Sequence, residues 1–137
     1  MDLYAENILD HYRHPRHKEP LKGATVAHKE ENISCGDELA VELTLKNGMI
    51  ENIGWSGTGC AISQAGMSML SEELIGKTST EAAAMTQQNI YEMFSVPIGP
   101  RRFKCALLCL HTLKNALNIA AGKKPQSWTK TVQIDNG

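Results

Sequence analysis

The stretch from Leu39 to Trp55 constrains the fold most. Leu39, Val41, Leu43 and Leu45 alternate with Ala40, Glu42, Thr44 and Lys46, the pattern of a strand with one face buried. Asn47-Gly48 follows, a pair suited to the positive φ angles that a two-residue hairpin turn needs. Met49 to Trp55 then returns as the partner strand, with Met49, Glu51, Ile53 and Trp55 expected on one face. Thr25 to Glu30 reads as a shorter strand before them. Together these predict a three-stranded antiparallel meander.

The flanking sequence is helical. Leu3 to Arg13 carries Ile8, Leu9 and Tyr12 at helical spacing, and Pro15 stops it. Residues 60–75 carry Ile62, Ala65, Met69 and Leu70, and Gly76 ends that helix. Thr78-Ser79-Thr80-Glu81 has the form of a capping box and predicts one helix running to Phe94. The last helix is expected from about Arg101 to Ala121, with Phe103, Ala106, Leu110, Leu113, Leu117 and Ala120 as its buried stripe. Trp128 to Ile134 is expected to be an extended tail. The class is therefore α+β, a three-stranded antiparallel sheet packed against several helices, with residues 1–137 as one domain.

Charge narrows the function. The formal net charge is -1, which argues against nucleic acid as a partner. No apolar run approaches the ~18 residues of a membrane span. Acids occupy the start, where a signal peptide needs basic residues, so the expected location is the cytoplasm. Thiols stay reduced there. The four cysteines Cys35, Cys60, Cys105 and Cys109 then point to metal binding or sulfur chemistry rather than disulfides.

Three of the four sit at junctions between elements. Cys35 and Asp37 flank Gly36 just before the central strand. Cys60 ends Gly57-Thr58-Gly59-Cys60, where strand gives way to helix and a helix N-terminus favours thiolate. Cys105 lies in the first turns of the last helix. If sheet and helices pack at one end, these side chains converge. Three soft donors and one hard one suit tetrahedral zinc or an iron–sulfur cluster. The absence of a close C-x-x-C pair, and the carboxylate itself, point to a labile site rather than a structural staple. Cys109, one turn after Cys105 and beside the apolar stripe, is assigned to packing. His11, His14 and His17 lie around Pro15 without a nearby thiol and are read as a docking surface rather than a metal site.

Ser34-Cys35-Gly36-Asp37, Gly57-Thr58-Gly59-Cys60-Ala61-Ile62-Ser63 and Arg102-Phe103-Lys104-Cys105-Ala106-Leu107-Leu108 resemble, in order, the three cysteine motifs of the IscU/SufU/NifU N-terminal-domain family. Tyr4 and Ile8-Leu9-Asp10-His11-Tyr12 with Pro15-Arg16 are similar to its N-terminus, so the resemblance runs from residue 3 to about 120. It implies an iron–sulfur cluster assembly scaffold that accepts sulfur from a cysteine desulfurase (IscS-, SufS- or NifS-like). Such a scaffold builds a [2Fe-2S] cluster from iron and passes it to recipient apo iron–sulfur proteins. It also implies Cys35, Asp37, Cys60 and Cys105 as cofactor and metal ligands. For scaffold members the resemblance points to Cys105 as the sulfur acceptor, and for zinc-binding SufU-type members, which relay sulfur, to Cys35. The role is that of a carrier rather than a turnover enzyme. The oligomeric state stays open, a homodimer included.

The chain departs from both branches of that family. Lys104 stands where IscU members carry His, and the pattern around it resembles SufU, a zinc-dependent sulfurtransferase that activates the desulfurase. Yet the interval from Cys60 to Cys105 is too short for the SufU insertion. Val96-Pro97-Ile98-Gly99-Pro100 replaces the IscU chaperone motif. Arg102 and Lys104 are expected to offset the excess negative charge of three thiolates and a carboxylate around either zinc or a [2Fe-2S] core.

Overall fold

The computed structural model describes residues 3–32, 36–100 and 102–132. Helix α1 (Leu3–Arg13) precedes a sheet of β1 (Val26–Asn32), β2 (Asp37–Lys46) and β3 (Met49–Thr58), antiparallel in that order. Helices α2 (Ala61–Leu74), α3 (Ser79–Ala83), α4 (Gln87–Phe94), α5 (Phe103–Ala120) and α6 (Trp128–Val132) follow. The meander expected from the alternation is present. Asn47 and Gly48 take φ of 54° and 76° at the hairpin.

One face of the sheet is covered. β2 presents Asp37, Leu39, Val41 and Leu43 inward, all buried. Helix α5 packs on β1 and β2, and α2 packs on β3. Helix α1 lies against α2. Its His11 Nδ1 is 2.8 Å from Ser68 Oγ, and the backbone N–H of Arg16 donates to the same hydroxyl at 2.9 Å. The carbonyl of Arg16 then accepts from Trp55 Nε1 at 2.7 Å. Among the described residues, no helix is long and apolar enough to cross a membrane.

Five expectations need correction. His11 is not part of a docking surface, because it is 6% exposed and turned onto Ser68 of α2. The return strand does not keep Met49, Glu51, Ile53 and Trp55 on one face. Thr44 pairs with Asn52 but Leu45 pairs with Ile50, so Glu51 is an extra residue, a bulge. Before the bulge Ile50 points inward and Met49 outward; after it Ile53 and Trp55 point inward. The helix expected from Thr78 to Phe94 is two helices. The Thr78–Glu81 capping box forms as read, but Thr86 and Asn89 build a second box that starts α4.

Helix α5 has no exposed stripe through its middle. Every residue from Cys105 to Leu113 is buried, because the helix touches β1, β2, α2, α3, α4 and α6 in turn. Ala120, expected inside, is exposed beyond those neighbours. The tail is helical as far as Val132, and Ile134 lies outside the described residues. Polar groups dock α6. His111 Nδ1 is 2.7 Å from Thr131 Oγ1, and the Trp128 ring meets the His111 ring edge-on at 5.1 Å. The Gln126 backbone N–H donates to Asn115 Oδ1 at 2.6 Å, and Asn115 Nδ2 donates to Glu30 Oε2 at 2.8 Å.

This network makes stability depend on pH. Burial pushes His111 and His11 below the ordinary histidine value of 6.5. Burial pushes Glu30 up, but hydrogen bonds from His28 and Asn115 and the charge of His111 outweigh it and leave the carboxyl below 4.5. Below about pH 6.5 the unfolded chain binds protons that the folded histidines refuse, so stability falls. Below about pH 4.5 Glu30 adds to the loss in the same direction. Thermal melts are expected to be flat from about pH 8 to 7 and to decline from about pH 6.5 to 5. The early part of that decline should vanish in a His11→Gln, His111→Gln double variant. A decline that begins only below about pH 5 would refute the histidine contribution.

Candidate metal centre

Asp37 opens β2, Cys60 caps α2, and Cys105 lies at the third position of α5. Three chain junctions thus meet at one end of the sheet. One ligand atom from each of Asp37, Cys60 and Cys105 lies within 4.8 Å of the others. This is the one such group of His, Cys, Asp and Glu among the described residues. Asp37 is 1% exposed and Cys105 4%, while Cys60 is half-exposed at the rim.

Local hydrogen bonds hold the junction between β3 and α2. The Cys60 backbone N–H donates to Asp37 Oδ1 at 2.8 Å, and Cys60 Sγ lies 3.6 Å from Asp37 Oδ2. Ser63 Oγ donates to the Cys60 carbonyl at 3.0 Å and is 3.8 Å from Cys60 Sγ. Gln64 Nε2 donates to the Gly59 carbonyl at 2.9 Å. Gly59 itself, at φ 125°, passes so close to Asp37 that an added Cβ would sit 2.2 Å from Oδ1.

These donors fit a small thiophilic cation. Tetrahedral zinc, with Zn–S near 2.3 Å and Zn–O near 2.1 Å, places sulfur and oxygen about 3.6 Å apart. The Cys60–Asp37 separation already has that value. Asp37 and Cys105 are shielded from water, which strengthens the attraction of an ion for them.

Cys35 lies outside the described residues, two positions before Asp37. Arg102 is the N-cap of α5 and exposed; Lys104 stands between it and Cys105. Cys109 is fully buried, its Sγ–H directed at the Ala106 carbonyl at 3.4 Å. Burial pushes its thiol up to about 12. It is therefore a protonated core group at neutral pH, as the packing assignment expected. Sequence reasoning named Ser63 only within its motif and missed Gln64 and Asn32. Asn32 could have been found by carrying the alternation of β1 two residues further, since Val26, His28, Glu30 and Asn32 all turn inward.

A model of the NifU-like N terminal domain matches residues 3–126. The chain is 32% identical over 131 residues to the iron–sulfur cluster assembly scaffold protein IscU of Thermotoga maritima, covering 84% of this chain and 92% of that protein. It is 29% identical over 132 residues to the zinc-dependent sulfurtransferase SufU of Bacillus subtilis, covering 84% and 89%. The crystal structure of FiSufU from Fervidobacterium islandicum AW-1, a candidate scaffold for the SUF system, superposes with a TM-score of 0.73. That pair shares 29% identity over 82% of this chain and 94% of the other.

Proposed function

Because this chain belongs to the family of NifU-like N-terminal domains, we propose that it is an iron–sulfur cluster assembly scaffold, acting in the cytoplasm as one domain over residues 1–137. The observation that carries the reading is the convergence of Asp37, Cys60 and Cys105 within 4.8 Å. Cys35 is the fourth ligand in this reading. The substrates are sulfane sulfur from a cysteine desulfurase and iron, and the product is a [2Fe-2S] cluster handed to recipient apo proteins.

The sulfur step is thiol–disulfide exchange. A site thiolate, from Cys105 or Cys35, attacks the terminal sulfur of the desulfurase's cysteine persulfide. A new S–S bond forms on the scaffold, and the desulfurase cysteine leaves as thiolate with the electrons of the broken bond. The scaffold then carries a persulfide, while iron and reducing equivalents come from outside the chain. Arg102 and Lys104, beside Cys105, favour the anionic sulfur. Asp37 holds the metal less tightly than a fourth thiolate would, which suits a site that must release its cargo.

One second reading has a specific support. Arg102-Phe103-Lys104-Cys105 resembles the SufU motif, and the Bacillus subtilis relative is a zinc-dependent sulfurtransferase. In that reading zinc is held by the same four residues, and sulfur passes through Cys35 without cluster formation.

Anaerobic purification followed by addition of desulfurase, cysteine and ferrous iron separates the two. The scaffold predicts a [2Fe-2S] absorption spectrum that disappears in Cys35→Ser, Cys60→Ser and Cys105→Ser variants. Tightly held zinc with strong activation of the desulfurase and no cluster selects the transferase. Binding of neither metal nor sulfur overturns both.

A further inference from the structure

Asn32 ends β1 with its side chain turned inward and 8% exposed. Its Nδ2 is the one buried side-chain nitrogen or oxygen without a hydrogen-bond partner among the described residues. Folded proteins leave few such groups, since a buried donor has lost its water without replacement. Described polar groups around Asp37 and Cys60 are engaged with one another. Asp37 Oδ1 accepts the Cys60 N–H, Ser63 donates to the Cys60 carbonyl, and Gln64 donates to Gly59.

The register says where this donor lies. Asn32 is the cross-strand partner of Asp37, and the inward row of β1 faces the inward row of β2. Directly opposed residues on one face have Cβ atoms about 4.5–5.5 Å apart. The unmet donor therefore lies one strand over from Asp37, the member of the Asp37–Cys60–Cys105 cluster on β2. Asp37 is not its acceptor, although it is the nearest carboxylate by register. The carboxylate is committed to Cys60 instead.

We propose that Asn32 is a positioning residue whose Nδ2 donates an N–H···S hydrogen bond to the anionic sulfur held at the Asp37–Cys60–Cys105 site. This inference rests on the metal and sulfur reading above and deepens it. A thiolate bound to a metal and a persulfide anion share the chemistry the donor needs, a soft, negatively charged acceptor. Donation withdraws electron density from the sulfur and fixes its direction, as outer hydrogen bonds do around metal ligands. A sulfur anion at the site offers such an acceptor within the buried face that Asn32 shares with Asp37.

Cobalt(II) alone is the probe, because its sulfur-to-metal charge-transfer bands report electron density on the thiolates. Asn32→Leu keeps the side-chain size and removes the donor. Asn32→Asp keeps the shape and replaces the donor with an acceptor. Both variants are expected to bind cobalt about 10-fold more weakly and to move the charge-transfer bands to longer wavelength. The metal-free Asn32→Leu protein is expected to melt no lower than wild type, since an unpaired buried donor has been removed. Alkylation and mass spectrometry after desulfurase treatment read the persulfide arm separately, as a shorter persulfide lifetime in both variants. Unchanged bands and unchanged persulfide lifetime in Asn32→Asp would overturn the proposal. So would an Asn32→Leu protein that fails to fold, because the amide would then be structural. Wild-type protein that binds no cobalt and takes up no sulfur would instead sink the site reading on which the inference rests.

Discussion

Replacing Gly59 with alanine is expected to disable the candidate metal centre while leaving the remainder of the fold standing. Two independent effects act at this position. The backbone takes φ of 125°, a conformation that side chains other than glycine's rarely adopt. The added Cβ would also lie 2.2 Å from Asp37 Oδ1 and 2.8 Å from Asp37 Cα. The first contact could be relieved by turning a carboxylate, but the second is with the backbone of β2. Either the start of β2 or the end of β3 must move. Moving Asp37 breaks its 2.8 Å bond from the Cys60 N–H, which aligns the carboxylate with the thiol. The strain is expected to cost about 1–3 kcal/mol of stability. Affinity for zinc or cobalt, measured by chelator competition, is expected to fall at least about 100-fold, the upper end for loss of a supporting contact. Gly76→Ala is the control. Gly76 also has positive φ, at 92°, but open space where its Cβ would go. That variant should lose stability through strain and retain the metal. Equal metal affinity in Gly59→Ala and wild type would show that the close approach to Asp37 does not shape the site.

Local patterns carried most of the fold into view. Alternation with a polar-favouring turn suffices for β2 and the hairpin, because pairing across two residues involves no distant partner. Each capping box is likewise self-contained, and the one at Thr78 was legible for that reason. The failures have a common origin in contacts distant along the chain. The bulge at Glu51 shifts register by one residue, which exchanges the inward and outward faces. Nothing in Met49 to Trp55 alone announces it. Helix α5 is surrounded because it is central, a property of the assembled layers rather than of its periodicity. Helix α6 is docked through His111, Asn115 and Gln126, polar residues that a search for apolar stripes passes over. The junction logic did place Asp37, Cys60 and Cys105 together, since strand ends and helix starts gather at the edge of such a layer. It could not place Asn32, whose relation to Asp37 is a matter of register.

Under the scaffold reading proposed above, replacing Asp37 with cysteine is expected to turn a releasing site into a retaining one. In the proposed site Asp37 is the hard donor among soft ones, and carboxylate oxygen binds zinc or iron less tightly than thiolate. It is also 1% exposed, so its position is filled by protein rather than water. A cysteine there is smaller than aspartate and brings a thiolate to the same end of β2. The substitution removes the 2.8 Å acceptor of the Cys60 N–H, a loss of about 1 kcal/mol. Sulfur accepts that N–H only weakly. Metal binding more than offsets this in the loaded protein, because an all-thiolate zinc site contributes folding energy outright. Zinc dissociation, followed with a chromogenic chelator, is expected to slow by at least about 10-fold. Transfer of sulfur or cluster to an acceptor protein should fall in parallel, while metal content on purification rises. The opposition of those two readouts is the point of the experiment. A structural zinc module would gain stability and lose nothing, since it has no cargo to release. A delivery protein stalls. Unchanged transfer alongside slower zinc release would therefore remove the labile carboxylate from the account of how this site works.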